Sequence, residues 1–397
     1  MKRSARINRI QPSPTLAITA KAKALKAAGE DVISFGVGEP DFPTPKPIVE
    51  AAKKALDEGK TTYTPAAGLK VLREKIALDY KRRGRDVSWD EVLVSVGGKH
   101  ALFNATQVVF DADDKVIIPA PYWVSYPAQV KLSGADPIFI QTDLDTDFKP
   151  SVAQIKTFLE DPKVKGLILC SPSNPTGSVF SESELKAIGD ALADRPDVIV
   201  FFDAMYDRLF FEGEIAPDFV AVNPHLASQT LTFNGFSKTY AMTGWRLGYT
   251  VGPKDVIADM AKLQSQSTSN PTTFAQYGGL EALDLDDDVI ANMRGVFKGR
   301  RDLIVSLLNG IQGVNCATPG GAFYVFPDFS AFIGNSKIAD DLAFAGFLLE
   351  EVGVALVPGS AFGSPGYARM SYATSEDLIK DGVSRIAIAL EKLRPLI

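Results

Sequence analysis

In the stretch Thr232 to Gly248, TFNGFSKTYAMTGWRLG, a lysine carries a hydroxyl just before it and an arginine eight residues after it. A β-prone run, Thr230 to Phe233, leads into Asn234-Gly235 and then Ser237-Lys238; Arg246 follows Gly244-Trp245, and a second β-like run begins at Leu247. An amine where a strand ends can condense with an aldehyde, and the hydroxyl and the planar guanidinium can hold a phosphate. The set suits covalent capture of a phosphorylated aldehyde, the chemistry of pyridoxal 5′-phosphate (PLP), whose second mark is an acidic partner for the pyridine nitrogen. Taken alone, the stretch reads better as a turn with an ordinary surface lysine.

Other loops supply the missing groups. Asp203 closes the apolar run VIVFFD, with Tyr206 three residues on. A carboxylate half-buried at a strand end is costly unless it has a cationic partner, and a protonated pyridine nitrogen would be one. An Asp that merely caps a loop is an even alternative. Tyr206 suits a hydrogen bond to the cofactor's phenolic oxygen, or is an amphipathic core tyrosine. Asn174, in Ser171-Pro172-Ser173-Asn174-Pro175-Thr176-Gly177, is a turn residue by propensity, yet its amide could serve the same oxygen. Trp123, after Pro121-Tyr122, offers a flat face for a planar ring; without neighbours, a core or interface tryptophan is the better reading. Arg369, in the run Tyr367 to Tyr372, is the candidate to grip a substrate carboxylate, against an edge-strand arginine facing solvent. Gly97-Gly98-Lys99 offers backbone N–H groups where a strand turns into a helix. The loop Gly36 to Pro45 allows close backbone approach at Gly38, or simply links domains.

These residues need a scaffold that gathers strand ends. Strands are expected at 92–96, 115–118, 136–140, 166–170, 198–203, 230–233 and 247–251, with helices at 16–28, 47–58, 70–83, 101–109, 181–192 and 254–264. Such alternation predicts a mostly parallel sheet covered on both faces, with ligand loops at its carboxyl edge. After a long helix at 287–308 come short strands at 322–326, 354–357 and 367–372, helix 339–351 and a final helix from Ser375. That change of character predicts a smaller α+β domain.

Composition narrows the function classes. With 46% apolar and 23% charged residues, the chain is an ordinary globular protein, and a net charge of −6 argues against general nucleic-acid binding. No segment approaches a membrane span of ~18 apolar residues. The basic opening (Lys2, Arg3, Arg6, Arg9) is not followed by an apolar signal region. Cys170 and Cys316 are too far apart in sequence for a metal-binding pair and suit a reducing cytoplasm. His100 and His225 lack neighbours at ligand spacing, so no metal site is expected. Gly59-Lys60-Thr61 has Lys54 where a phosphate loop needs its first glycine, and Gly36-Val37-Gly38 has Asp41 where a dinucleotide site needs its third.

Taken in order, GEPDF, YTPAAG, GGK, PYW, SNPTG, DxxY, SKTYAMTGWRLG and RMSYATS resemble the class I/II PLP-dependent aminotransferases of fold type I. The likeness covers nearly the whole chain and is strongest to the branch of prokaryotic-type aspartate and aspartate/prephenate aminotransferases. It implies an α/β fold: a three-layer αβα large domain with a mostly parallel sheet (46–289), and a smaller α+β domain from 1–45 and 290–397. It implies that Lys238 is the Schiff-base lysine, Asp203 pairs with the pyridine nitrogen, Tyr206 and Asn174 bond the phenolic oxygen, and Trp123 stacks on the ring. Phosphate falls to Ser237, Arg246 and Gly98-Lys99, with Tyr63 reaching in from the second subunit of a homodimer that shares its active sites. Substrate falls to Arg369 and Gly38, beside Trp123 and Asn174. No arginine stands in Met260–Asn270, where one branch grips the distal carboxylate; Lys99 and Thr15 are the expected replacements. The chain reads Asp203-Ala204-Met205-Tyr206 where many relatives have Asp-Glu-x-Tyr. The expected partners are amino acids and 2-oxo acids, aspartate and 2-oxoglutarate first and prephenate next, in the cytoplasm. Aromatic or alanine transaminases and C–S lyases share the resemblance; a regulator would need a DNA-binding module, and none is recognisable.

Overall fold

A computed structural model describes residues 2–10 and 14–393, the side chains of 14–19 excepted. Its strands are β1 Ile33–Ser34, β2 Val92–Ser95, β3 Lys115–Ala120, β4 Asp136–Gln141, β5 Val164–Cys170, β6 Ile199–Asp203, β7 Thr230–Gly235, β8 Gly248–Val251, β9 Tyr324–Val325, β10 Val354–Ala355, β11 Val357–Pro358 and β12 Ala368–Ser371. Seven of them form one sheet in the order β2-β8-β7-β6-β5-β3-β4. Strands β4, β3, β5, β6 and β7 run parallel, and β8 lies antiparallel to both β7 and β2.

The central strands are apolar in unbroken runs because both of their faces are covered. Leu167, Leu169, Val200 and Phe202 pack on one side with Leu185 and Ile188. On the other, Ile168, Phe201 and Phe233 pack with Leu102 and Val130. The helix Glu182–Leu192 starts on a capping box between Ser181 and Glu184, which satisfies orphan backbone donors at its first turn.

A second core gathers Ile33 and Phe35 with residues from Met293 to Leu393, and Tyr206 and Leu209 join it from the large sheet's side. Strand β1 pairs in parallel with β10, so the chain's early and late segments share an edge. The single strand expected at 354–357 is in fact two. Beyond Leu356 the chain leaves β1, and β11 pairs with β12 in the sheet β11-β12-β9. A two-residue strand in each sheet has no period for a sequence pattern to show. Helices Ser125–Ser133, Val152–Leu159 and Thr273–Ala282 were also not expected.

Candidate active site

The topology explains why residues from distant loops meet. The carboxyl ends of β2, β3, β5, β6 and β7 lie on one edge, and β8, running the other way, begins there. The residues just past those ends are Gly98, Trp123, Asn174, Tyr206 and Lys238, and Arg246 stands two before β8. Together with Gly38, Lys99, Asp203, Ser237 and Arg369 they line one cavity of about 720 Å³.

One wall is a cradle of backbone. The helix Gly98–Val109 begins at Gly98, three residues earlier than expected, with Gly97 at φ +82°, a conformation that favours glycine. A Cβ on Gly248 would meet the Gly97 carbonyl carbon at 2.6 Å, so the strand passes the turn with no side chain between. Arg246 itself has φ +54°, rare for a residue with a side chain, and its Nη1 donates to the Thr243 carbonyl at 2.8 Å. A helix N-terminus, Ser237 and the Arg246 guanidinium thus line the same cavity, groups of the kind that can bind an anion.

The charges in the cavity are not paired with one another. Asp203 is 5% exposed, and burial raises its pKa to about 6. The Tyr126 hydroxyl donates to its Oδ2 at 2.5 Å and the Met205 N–H to its Oδ1 at 3.1 Å, and among the described residues no cation pairs with it. The Lys238 ammonium donates to the Gly38 carbonyl, and burial, helped by Arg369, lowers its pKa to about 8. Arg369 is 4% exposed, in the central strand of its sheet and not at an edge; it donates to Asn174 Oδ1 at 3.0 Å and to the Gly36 carbonyl at 2.8 Å, and its Nε has no acceptor. Nearby ion pairs join other residues, Arg83 with Asp207 and Arg208 with Asp79. Among the described residues, an enclosed carboxylate and two enclosed cations share a cavity without an ion pair.

Tyr206 donates to or accepts from Tyr324 through their hydroxyls, 2.9 Å apart, and Arg369 lies 4.7 Å from the Tyr324 ring centroid. Lys99 stands at the rim with its ammonium 4.9 Å from the Trp123 ring; partial burial, then Arg246, lower its pKa. Tyr63 is away from this cavity and 87% exposed. Thr15 falls in the helix Pro14–Ala27, and its side chain lies outside the described residues. Ala204 is buried in the apolar layer with Leu169 and Phe202, so the departure from Asp-Glu faces the core.

Sequence reasoning missed Tyr126, Tyr324, Cys170 and Met205, all on the cavity wall. Tyr324 follows Gly320-Gly321-Ala322-Phe323, a signal of close backbone approach; the others carry no local mark.

A sheet edge that gathers a lysine, an aspartate, an anion cradle and a buried arginine defines a fold type I transferase site. Residues 30–386 match the model of the family "Aminotransferase class I and II", and the chain belongs to that family; it is a transaminase. It is 44% identical to an aspartate aminotransferase of Bacillus subtilis, over 99% of this chain and 100% of the relative. To an aspartate/prephenate aminotransferase of Cereibacter sphaeroides it is 46% identical, over 95% and 96%. Among solved structures, the aspartate aminotransferase of Rhizobium meliloti superposes with a TM-score of 0.95 at 38% identity, over 99% of this chain and all of that one. That of Thermus thermophilus with maleate gives 0.92 at 39%, over 98% and 100%.

Proposed function

We propose that the protein is a PLP-dependent aminotransferase that moves the amino group of aspartate to 2-oxoglutarate by a two-half, ping-pong reaction. The unpaired charges carry this reading. A buried carboxylate without a cation, an enclosed amine of lowered pKa and a cradle of backbone N–H, hydroxyl and guanidinium match the pyridinium, aldehyde and phosphate of one molecule. Asp203 would hold the ring nitrogen, Lys238 the aldehyde carbon, and Ser237, Arg246 and the Gly98 N–H the phosphate. Trp123 would face the ring, and Tyr206 and Asn174 its phenolic oxygen. Once bound, PLP supplies an electron sink for the bond broken at the substrate Cα.

The chain's own work is to bind, orient and move protons. Arg369, on the cavity wall, offers a guanidinium held in place by Asn174 and the Gly36 carbonyl for the α-carboxylate. Lys238, with a pKa near 8, is partly the free amine at neutral pH and can take the Cα proton and give one back. Lys99 at the rim is the cation for the distal carboxylate, and the Thermus neighbour's maleate, a dicarboxylate, supports that class of substrate. Prephenate, in the Cereibacter relative's name, also carries two carboxylates, and an assay with it as acceptor decides whether its ring is accommodated.

We also propose that residues 1–45 and 290–397 form one small domain, supported by the β1–β10 pairing and the shared apolar core. The reading includes a cytoplasmic homodimer to whose neighbouring site Tyr63 is delivered. No helix among the described residues is long and apolar enough to cross a membrane.

The test is an absorbance scan of the holoenzyme. Its lysine-bound cofactor band should vanish on adding aspartate and return with 2-oxoglutarate; a band indifferent to both refutes the acidic substrates. Lys99→Ala should raise KM for aspartate about tenfold or more, the effect of losing a charge-assisted contact, while leaving that for alanine within about twofold. Equal rises for both would assign Lys99 to the phosphate side alone.

A further inference from the structure

Tyr126 has no part in the reaction as set out above, yet it makes the shortest side-chain contact to the buried carboxylate. It sits in the first turn of the helix Ser125–Ser133, 2% exposed, its ring edge-on to Trp123 with centroids 5.3 Å apart at 80°. Its hydroxyl donates to Asp203 Oδ2 at 2.5 Å. The thiol of Cys170, also beside Asp203, turns to the Pro172 carbonyl at 3.5 Å. From the protein side, therefore, Asp203 receives one phenol O–H and one backbone N–H, from Met205 at 3.1 Å.

A donor to a carboxylate stabilises the ionised form over the neutral one. Under the PLP reading, on which this inference rests, Asp203 and the ring nitrogen are two bases with one proton between them, and such a pair titrates as a unit. Whatever stabilises the carboxylate moves that proton toward the nitrogen. Asp203 and Tyr126 are both buried, so little solvent reaches the carboxylate to take the place of the phenol. The protonated ring is the better electron sink, so the proton's position bears on the rate at which the Cα–H bond is broken.

We propose that Tyr126 is a positioning residue that acts through Asp203, keeping the shared proton on the cofactor's ring nitrogen. Simple space filling is the competing account, and the two separate cleanly, because phenylalanine keeps the ring against Trp123 and removes only the donor.

The experiment uses holoenzyme loaded with PLP labelled with 15N in the ring, read by solid-state NMR. In the unaltered protein the resonance should be that of a protonated pyridine. Tyr126→Phe should move it toward the neutral position and slow single-turnover amino transfer from aspartate about tenfold or more, the rate equivalent of losing one hydrogen bond to a charged group. An unchanged resonance in Tyr126→Phe, with Asp203→Ala deprotonating the ring, overturns the inference and leaves the PLP reading standing. A resonance unmoved by Asp203→Ala as well overturns both the inference and the pairing of Asp203 with the ring nitrogen on which it rests. Should Tyr126→Phe fail to fold, p-aminophenylalanine at 126, a weaker donor of the same size, takes its place. An intermediate resonance supports the role of the phenol, and one identical to the unaltered protein refutes it.

Discussion

At the scale of single residues, the site keeps charge where the apoprotein would be better off without it. Asp203 has a pKa raised to about 6 from an ordinary 3.8, with burial the main cause and the Tyr126 and Met205 donors working against it. A carboxyl that binds its proton more tightly when folded gives the folded state extra protons between about pH 4 and 6. Stability therefore falls as pH rises through that window, and the deficit is complete above it. The cost above pH 7 is up to about 3 kcal/mol, from a shift of roughly two pH units. Asp203→Asn should remove it, since the amide can accept from Met205 N–H and donate to the Tyr126 oxygen. In urea titrations of cofactor-free protein, Asp203→Asn should be the more stable at pH 7.5 by a few kcal/mol, with the gap closing near pH 4. A constant gap at both pH values would refute a charge origin. Cofactor affinity should fall in the same variant, so that stability and function pull on this residue in opposite directions.

At the scale of elements, two buried glutamines fasten the loop that carries Tyr63. Gln264, fully buried, donates to the carbonyls of Ala66 at 2.6 Å and Val94 at 2.8 Å, and accepts from Ser95 Oγ at 2.7 Å and Asn104 Nδ2 at 3.1 Å. Gln276, also fully buried, accepts from Leu69 N–H at 2.7 Å and donates to Thr64 Oγ1 and the Pro271 carbonyl. One glutamine thus joins the loop to the strand leading into the Gly97–Gly98 cradle. Gln264→Leu strands three buried polar groups and one half-buried carbonyl and should cost about 2–4 kcal/mol. It should also speed hydrogen exchange at Ala67 to Leu69 more than at the central strands; uniform acceleration would refute a local clamp. None of this was legible in the sequence, where Gln264 sits unmarked in an amphipathic helix. The parallel strands, by contrast, were legible because unbroken apolar runs ending in Asp, Asn or Gly-Gly are hard to place elsewhere. Lys238, Asn174 and Arg246, in short polar loops beside strands, and Asp203 and Arg369, within strands, stood out as candidates by residue type, and the fold gathers them around one cavity. What stayed hidden was made by tertiary contact alone: the Tyr126 hydroxyl on Asp203, Tyr324 beside Tyr206, and the division of 354–358 between two sheets.

At the scale of the whole molecule, the cavity collects its walls from both ends of the chain, yet Tyr63 stays outside it. Tyr63, 87% exposed on a loop held by two buried glutamines, does not line its own chain's cavity and has no role there. The proposed homodimer gives it one, as a hydroxyl delivered to the phosphate of the neighbouring site. Hybrid dimers decide the matter. Take one chain with Lys238→Ala and another with Tyr63→Phe, each on its own expected to be inactive or to hold PLP weakly. If Tyr63 acts across the interface, the hybrid contains one site with its own Lys238 and the other chain's intact Tyr63, which is a complete site. Purified hybrids should then bind one PLP per dimer with the affinity of the unaltered protein and show about half its activity. If Tyr63 acts within its own chain, the only lysine-bearing site in the hybrid lacks the phenol. Affinity should then equal that of the Tyr63→Phe homodimer, and the shared site would be excluded. The comparison is internal to one preparation, so differences in folding between the variants cannot imitate the recovery of a complete site.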